Sequence, residues 1–467
     1  MSISNTERVE LTVTNIPGVL GRVVIHIRRE GWNIKRLHVE DVGDGSLSVM
    51  EIDIEGVHTK LAEVAKRLLR LDVVKSIATF ADGERTEIVR ENAPAKVEVK
   101  VSKPSVILEK KPNISRILAV NPGSTSTKFA VYDGEVEALS HTIRHPMSET
   151  FDIPVLEQKQ TRMNALLSYL DERSIDLDTL DAVVGRGGLL KPIESGTYSI
   201  NNRMLTDLVS ASASVHASAL GAIIAADIAA RLGIPSFVTD PIVVDEMDRF
   251  AKLTGMPGIE RSSIFHALNQ KAVARRFCQE NNMIYENVRL VVAHLGGGIT
   301  IGAHRYGRVI DVNDALSGEG PFTPERSGAI PALPIVRMCF SGEYTEEEIS
   351  NKILHNGGVL AYLGTNDIKA VQQMIAEGDE FAALVLDSMA YQVSKDIGSM
   401  VAALEGEVDA ILLTGGLARS TRFTGTIKQR VHRFAKVETY PGEDEMLALV
   451  QGALRVIKGM EPAAIYE

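Results

Sequence analysis

Residues 121–128, NPGSTSTK, lie between two apolar segments at 117–120 and 129–132. The run combines an amide, four hydroxyls, a lysine and Gly123, and glycine lets the backbone approach a ligand closely. Successive backbone N–H groups in such a turn form an anion-binding nest, so the pattern favours a phosphate ligand. The Walker spacing G-x-x-x-x-G-K-[ST] is absent. For this run by itself, a polar hairpin tip without a ligand is the alternative.

Two further glycine loops follow apolar segments later in the chain. The run AHLGGGI at residues 293–299 repeats the strand–loop–strand plan of the first unit. In both units the first glycine of the loop lies 11 positions before the glycine of the next turn. The run LLTGGLARS at residues 412–420 adds a strand followed by two glycines. The repetition predicts a duplicated nucleotide-binding architecture.

These motifs resemble those of the superfamily of acetate and sugar kinases, heat-shock chaperone ATPases and actin, and within it the acetate/butyrate kinase family. NPGSTSTK is similar to the family's first phosphate motif, AHLGGGI to its second and LTGGLA to its adenosine motif. The resemblance covers Arg116 to the C-terminus. It implies an α/β fold, a duplicated actin-like (ribonuclease H-like) two-domain kinase core. Domain I would comprise residues 116–284 and 443–467, and domain II residues 285–442, with the active site in the cleft between them.

The resemblance also implies ATP or ADP and Mg²⁺ as cofactors. The residues expected to bind the nucleotide are Asn121, Gly123, Ser124, Ser126, Lys128, Gly296, Gly297, Gly298, Asp367, Lys369, Gly415 and Gly416. Asn121, Asp240 and Glu445 are expected near the metal, because Mg²⁺ takes oxygen ligands and keeps several of its waters. For Glu445 the alternative is an acid that only favours the dipole at a helix start.

Arg186 (GRGGLLKP) and Arg326 (ERSG) match the family's two active-site arginines, which bind the substrate carboxylate and the transferred phosphate. The guanidinium group suits this task because its charge is permanent and its donors form a planar fork. For either arginine alone, a surface ion pair is the alternative.

His266 and His294 match family histidines near the transferred phosphate, and with Asp240 they complete the expected catalytic group. The pattern predicts a helix over residues 262–278, which includes His266. For a histidine on an apolar helix, packing in the core is the alternative. His294 ends a predicted strand directly before the second glycine loop.

A carboxylic acid is already ionised at pH 7, because its pKa is roughly 4 to 5. A kinase that phosphorylates it needs positive charge and in-line positioning rather than a strong general base. The resemblance therefore implies reversible transfer from ATP to butyrate or a short branched acid, giving an acyl phosphate and ADP. The alternatives are an acetate or propionate kinase, a sugar kinase with a carboxylate that accepts the hydroxyl proton, and a non-catalytic ATP-binding sensor.

The residues expected around the acyl group are Arg186, Gly188, His216 and Phe265. Where acetate kinases carry two valines after the first arginine, this chain has Gly187 and Gly188, which predicts an enlarged acyl pocket. It also has Gly297 in place of an asparagine in the second phosphate loop, and Lys369 in place of an arginine near the adenine.

Residues 8–80 show alternating apolar positions and helical spacing in the order βαββαβ, the ferredoxin-like layout. The run TNIPGVLGRVVIHIRREGWNI resembles the ACT regulatory domain, which implies that residues 1–82 bind an amino acid or another small effector. Pro17-Gly18 would open a helix N-terminus able to receive a carboxylate. A pure oligomerisation module is the alternative. Residues 83–115 are polar and contain three prolines, which predicts a linker.

The chain has 467 residues and a net charge of −11, which argues against nucleic acid or an anionic membrane as its main partner. Its two cysteines, Cys278 and Cys339, have no metal-site spacing and are predicted to be buried thiols in a reducing compartment. There is no leader pattern at the N-terminus and no apolar run of membrane-spanning length. We expect a cytoplasmic enzyme that uses a short-chain carboxylic acid and forms a homodimer or a higher homo-oligomer.

Overall fold

The computed structural model describes residues 6–14, 19–20, 23–24, 27, 33–42, 47–55, 68, 74–81, 84–89, 110, 113–145, 153–210 and 217–467. The chain divides into two compact units, Met1–Ser105 and Val106–Glu467. Each unit has its own hydrophobic core and is described separately below.

The first unit contains one antiparallel sheet. Its strands are β1 (Thr6–Thr14), β2 (Asn33–Val42), β3 (Leu47–Glu55), β4 (Val74–Ala81) and β5 (Glu84–Val89). They pair in the order β2-β3-β1-β4-β5. Alternating apolar residues of β1 and β3 are buried against helical residues such as Val19, Val23 and Ile27. The four predicted strands are confirmed, and the alternating apolar residues of β1 and β3 are buried on one face of the sheet, as a period of two requires.

The sheet continues beyond the predicted end of the first domain. Strand β5 pairs with β4, so residues 84–89, at the start of the predicted linker, belong to the sheet. Pro17 and Gly18, the predicted effector-binding turn, lie outside the described residues.

The second unit contains two sheets and twelve α-helices among the described residues. Its strands are β6 (Arg116–Pro122), β7 (Ser126–Asp133), β8 (Val136–Arg144), β9 (Ala182–Gly185), β10 (Thr197–Ser199), β11 (Ser236–Thr239), β12 (Arg289–Leu295), β13 (Ile299–Arg305), β14 (Arg308–Val312), β15 (Ala410–Gly415), β16 (Lys436–Pro441) and β17 (Ala464–Ile465). Its helices are α1 (Lys159–Glu172), α2 (Asn202–Ser210), α3 (Ala219–Leu232), α4 (Arg249–Lys252), α5 (Ala267–Glu280), α6 (Ala332–Cys339), α7 (Glu346–Leu354), α8 (Gly358–Leu363), α9 (Ile368–Ala376), α10 (Glu380–Ala403), α11 (Thr421–Val431) and α12 (Glu445–Ile457).

The two sheets share one topology. The first runs β8-β7-β6-β9-β11, with β10 and β17 added beyond β11, and the second runs β14-β13-β12-β15-β16. In each sheet three consecutive strands pair antiparallel, β6–β8 in the first and β12–β14 in the second. Two more strands then join in parallel, β9 and β11 in the first sheet and β15 and β16 in the second. The predicted duplication is therefore confirmed. The three glycine loops follow the carboxyl ends of β6, β12 and β15; β12 and β15 run parallel in the second sheet, and β6 holds the place of β12 in the first.

Helix α3 packs on one face of the first sheet, and α12 on the other. Helix α10 packs on the second sheet, and α5 contacts both β12 and α12. Helix α5 begins at Ala267 rather than at the predicted residue 262, because the preceding segment is extended and bonds to residues 242–244: Phe265 N donates to Ile242 O, and Ser263 Oγ donates to Val244 O. His266 therefore lies directly before the helix.

Of the two cysteines, Cys278 is buried in α5 but Cys339 is exposed at the end of α6. The prediction of two buried thiols is wrong for Cys339, since α6 has no buried residue. Among the described residues, no helix is long and apolar enough to cross a membrane.

Candidate active site

The first glycine loop is a tight connection between β6 and β7. Gly123 N donates to Ser126 O at 2.7 Å, which closes the turn. Ser124 and Lys128 are exposed, so both are free to meet a ligand from solvent. Asn121, at the end of β6, donates its side-chain amide to Glu445 Oε2 at 2.7 Å. The predicted loop residues thus lie together beside the start of α12.

The second glycine loop joins β12 to β13 and touches two predicted site residues. A Cβ atom on Gly298 would lie 2.8 Å from Arg326 Nη1 and 3.1 Å from His266 Cε1. Glycine at this position therefore allows both side chains to approach the loop. A Cβ on Gly297 would meet only Glu325 Oε1 within 4 Å, at 3.7 Å, which is ordinary contact.

The third glycine loop packs directly against the second. Gly415 has φ of 93°, and a Cβ there would lie 2.3 Å from Leu295 O. Glu443, just before α12, has its Oε1 3.3 Å from His294 Nε2, at the start of the second loop. The hydrogen bond from His294 is the largest cause that holds the pKa of Glu443 below its usual value, and Arg186 and Gly416 add to it against the opposing effect of burial. Glu443 thus lies beside the second loop, within the electrostatic reach of Arg186.

Arg186 follows β9 directly and is held by close backbone packing. A Cβ on Gly221 of α3 would lie 2.6 Å from Arg186 O, so a glycine there is required by the approach of the helix. The guanidinium donates from Nη1 to Glu445 Oε1 at 2.5 Å. Because Glu445 also accepts from Asn121, one carboxylate links the first loop to the first arginine.

His266 and His294 stack face to face with ring centroids 3.7 Å apart. His294 Nδ1 lies 3.1 Å from Asn269 Oδ1, and His266 Nδ1 lies 3.0 Å from Thr300 Oγ1. Burial lowers the pKa of His266 well below its ordinary value, and the charges of His294, Arg186 and Arg326 lower it further. His266 is therefore neutral at pH 7.

Arg326 donates from Nη1 to Ala315 O at 2.7 Å, and its Nε is buried with no hydrogen-bond partner among the described residues. Burial also lowers its pKa. A buried cationic donor without a partner costs free energy, which an anion at this position would offset. Arg326 and His266 both approach Gly298, and Arg186 and His266 border the same small cavity, so the two arginines lie around one histidine.

Asp240 is 1% exposed and has φ of 38°. It accepts from Arg275 Nη1 at 3.0 Å and from the N–H of Gly196 at 2.9 Å. Burial opposes the charged form, but Arg275 and Lys271 outweigh it and keep the pKa of Asp240 below its usual value. A small cavity is bordered by Arg186, Asp240, His266, Asn269 and Glu445, among other residues.

Of the residues predicted around the acyl group, Arg186 borders the small cavity, whereas Phe265 and Gly188 do not. Phe265 is 1% exposed and packs in a core cluster with Val244 and Val309 rather than lining the small cavity. A Cβ on Gly188 would lie 2.7 Å from the Cβ of Ala219. A Cβ on Gly187 would lie equally close to Val238. Neighbouring side chains thus fill the space that side chains at residues 187 and 188 would occupy. The two glycines therefore do not by themselves enlarge the acyl pocket. His216 lies outside the described residues.

Asp367 and Lys369 lie at the start of α9. The Asp367 side chain accepts from Lys369 N at 2.9 Å and caps the helix, and both residues are exposed. Their neighbour Asn366 donates to Glu325 at 3.4 Å, and Glu325 borders Gly297. The start of α9 is therefore linked to the rim of the second loop.

Sequence reasoning missed Glu443 and Asn269. Glu443 is one of three acids in the run GEDEML, of which the resemblance points only to Glu445 as a residue near the metal. Its position is set by Gly442, which pairs with Gly415 through two backbone hydrogen bonds. No local pattern reveals that pairing. Asn269 could have been found as a polar residue within the first turn after His266.

The chain is similar in sequence to known kinases and to ACT domains. The Acetokinase family model matches residues 252–437, and a model of the AHAS small subunit-like ACT domain matches residues 9–76. The chain is 49% identical over 352 residues to a probable butyrate kinase of Clostridium botulinum, which covers 75% of this chain and 99% of that protein. It is 50% identical over 353 residues to butyrate kinase 2 of Clostridium acetobutylicum, with the same coverage.

Solved structures show the same fold at lower identity. Porphyromonas gingivalis acetate kinase superposes with a TM-score of 0.62 at 19% identity and covers 73% of this chain and 100% of its own. A Francisella tularensis propionate kinase superposes with a TM-score of 0.60 at 20% identity, over 72% of this chain and 98% of its own.

Proposed function

This chain belongs to the acetokinase family and is an ATP-dependent carboxylate kinase, and we propose that its acid substrate is butyrate or a short branched-chain acid. The product would be the corresponding acyl phosphate, with ADP. The choice of acid is supported by the two relatives named as butyrate kinases, which are 49% and 50% identical to it. The packing around Gly187 and Gly188 does not contribute to that choice.

One observation carries the choice of a carboxylate over a hydroxyl acceptor. The carboxylates of Asp240, Glu443 and Glu445 already accept from Arg275, His294 and Arg186, respectively. None of these three is poised as a free base for a sugar hydroxyl. A carboxylate acceptor is ionised at pH 7 and needs no base, so the arrangement suits it.

In this mechanism, Arg186 and Arg326 bind the substrate carboxylate and the γ-phosphoryl group and neutralise charge as the phosphoryl group moves. The first and second glycine loops hold the phosphates, and the third lies against the nucleoside. Neutral His266 donates or accepts one hydrogen bond beside the transferred group without adding a charge. Closure of domains I and II of the kinase core on the substrates would exclude water from the reactants.

The residues present also fit Mg²⁺. Among the described residues no group of three or more histidine, cysteine, aspartate or glutamate side chains could hold a metal. Mg²⁺ bound with a nucleotide needs only one or two carboxylates, because phosphate oxygens and waters supply its other ligands. Asn121, Asp240 and Glu445 would hold it, and the ion would neutralise charge on the β- and γ-phosphates.

The proposal is tested by trapping acyl phosphates with hydroxylamine, using acetate, propionate, butyrate, isobutyrate and a panel of sugars as acceptors. We expect the highest kcat/KM with butyrate or isobutyrate and no phosphorylation of sugars. A clear preference for acetate would overturn the choice of acid. Phosphorylation of a sugar but of no acid would overturn the choice of a carboxylate acceptor.

Substitution of Arg326 tests the chemistry. We expect Arg326→Ala to lower kcat on the order of 10³-fold with ATP affinity nearly retained, since charge stabilisation of this kind acts in the transition state. Arg337→Ala, on the exposed helix α6, is the matched control and should keep wild-type turnover. An unchanged kcat in Arg326→Ala would refute the role assigned to Arg326. A wild-type chain that binds ATP but turns over no acceptor would favour a non-catalytic ATP-binding sensor.

We also propose that the first unit binds a small effector, an assignment supported by the ACT-domain match over residues 9–76. Calorimetry of the full chain with each free amino acid, repeated as an activity titration, tests it. We expect heat from one amino acid and a change in kcat or KM at the same concentration. No heat from any of them would favour an oligomerisation module.

A further inference from the structure

A buried arginine lies directly behind the first phosphate loop. Arg162, in α1, is 1% exposed, and its guanidinium donates to three loop carbonyls: Gly123 O at 2.8 Å, Ser124 O at 2.8 Å and Ser126 O at 3.0 Å. It also donates to Thr127 Oγ1 at 3.2 Å. One side chain thus holds the loop at several points.

The remaining carbonyl of residues 123–126, that of Thr125, also accepts a hydrogen bond from the protein. His145 N donates to Thr125 O at 2.9 Å, and the His145 ring bonds to Thr127 Oγ1 at 2.8 Å. Carbonyl oxygens repel phosphate, so a phosphate loop works only when they point away from the ligand and its N–H groups and hydroxyls point toward it. Arg162 and His145 together bind the carbonyls of residues 123–126 on the protein side.

Among the described residues, no carboxylate forms a hydrogen bond or an ion pair with the guanidinium of Arg162. Its other partner is Gln158 Oε1, at 2.7 Å from Nη2 and 3.1 Å from Nε, so the guanidinium meets only neutral oxygens there. Burial lowers the pKa of Arg162. Burying a cation without an acid costs free energy, which indicates a purpose other than stability.

We propose that Arg162 is a positioning residue for phosphoryl transfer, which orients the first loop and adds positive potential behind it for the phosphates of the nucleotide. The inference rests on the proposed function, because it assigns this loop to the phosphates. Arg162 does not touch the reacting atoms; it acts through the loop backbone.

Two variants test the two parts of this role. Arg162→Lys keeps the charge but loses the planar fork that spans three carbonyls. Gln158→Glu keeps the size and the acceptor atom but places a carboxylate against the guanidinium, so that its charge is neutralised. It also removes the hydrogen bond from Gln158 Nε2 to Ile153 O at 2.8 Å, so a thermal melt accompanies the binding measurement. Gln160→Glu is the matched control, because Gln160 is exposed on the same helix.

The measurement is calorimetric binding of ADP and of adenosine to the full chain, with KM values for ATP and acid. We expect Arg162→Lys to weaken ADP binding on the order of 10- to 100-fold, since several charge-assisted hydrogen bonds are lost. Gln158→Glu should weaken it on the order of tenfold, the effect of one unit charge acting over about 10 Å at an effective dielectric constant near 20. Adenosine binding and the KM for the acid should stay within about twofold of wild type, as should all values for Gln160→Glu.

A merely structural role would lower the melting temperature without changing the ratio of ADP to adenosine affinity. If the ratio of ADP to adenosine affinity is unchanged in both variants, including the case in which both affinities fall equally, the proposal is overturned. If Arg162→Lys does not fold, Gln158→Glu decides the matter. Binding of ADP needs no turnover, so this result is independent of the acid panel. A wild-type chain that binds ADP but phosphorylates no acid would refute the proposed function and leave intact the role of Arg162 in binding the nucleotide phosphates.

Discussion

Gly298 offers a direct test of how the second loop, Arg326 and His266 depend on one another. In Gly298→Ala, the new methyl group would lie 2.8 Å from Arg326 Nη1, 3.3 Å from Arg326 Cζ and 3.1 Å from His266 Cε1. Contacts under 3.0 Å force a shift, and the guanidinium is the mobile partner. Gly298 does not have a left-handed backbone, so the substitution introduces no backbone strain.

A displacement of about 1 Å in a group that stabilises the transition state costs roughly 10²-fold in rate. We therefore expect kcat of Gly298→Ala to fall on the order of 10²-fold. The melting temperature should change little, because the far end of a side chain can move without opening the core. The KM for ATP should change less than kcat, since Arg326 acts chiefly on the transferring group.

The neighbouring glycine is the matched control. A methyl group on Gly297 would meet only Glu325 Oε1 within 4 Å, at 3.7 Å, and Gly297 is exposed whereas Gly298 is buried. This geometry agrees with the resemblance to acetate kinases, which carry an asparagine at that position. The assay is the hydroxylamine trap with both variants, together with a thermal melt. Wild-type kcat in Gly298→Ala, or the same loss in both variants, would refute the argument.

Three further outcomes are expected. Gly188→Ala should lower the unfolding free energy by about 1–3 kcal/mol without shifting acid preference toward acetate, because the new methyl overlaps Ala219 rather than the ligand; thermal melts and the acid panel check this. Glu246→Gln should destabilise the chain by roughly 3–5 kcal/mol in a denaturant titration, because it leaves the ammonium of Lys271, 0% exposed, without its carboxylate at 2.9 Å. Unfolded His266 takes up a proton near pH 6.5 and folded His266 only at a lower pH, so its contribution to stability is complete above 6.5 and is lost as the pH falls below it. Between pH 6.5 and 5.5 the unfolding free energy should fall by up to about 1.4 kcal/mol per pH unit from this residue, and His266→Asn should flatten that slope; equal slopes would contradict it.

Much of the fold could be predicted from the sequence, because strands, tight turns and glycine loops are specified by neighbouring residues. The alternation in β1 and β3 determined which faces are buried, and the repeated strand–loop–strand unit determined that the two sheets of the second unit share one topology. Arg186 and Arg326 could be selected because each lies in a recognisable motif.

Contacts between distant residues could not be predicted in this way. No local pattern in the sequence GEDEML marks Glu443, and only the pairing of Gly442 with Gly415 places Glu443 beside His294. The sequence gives no indication that Arg162 lies behind the first loop.

The absent valine side chains at residues 187 and 188 suggested open space, but the packing of Val238 and Ala219 fills it. The local sequence therefore determined the loops and their order, since turn geometry depends on adjacent residues. Only the tertiary structure decided which charges meet and which volumes are filled, because both depend on how separate elements pack against one another.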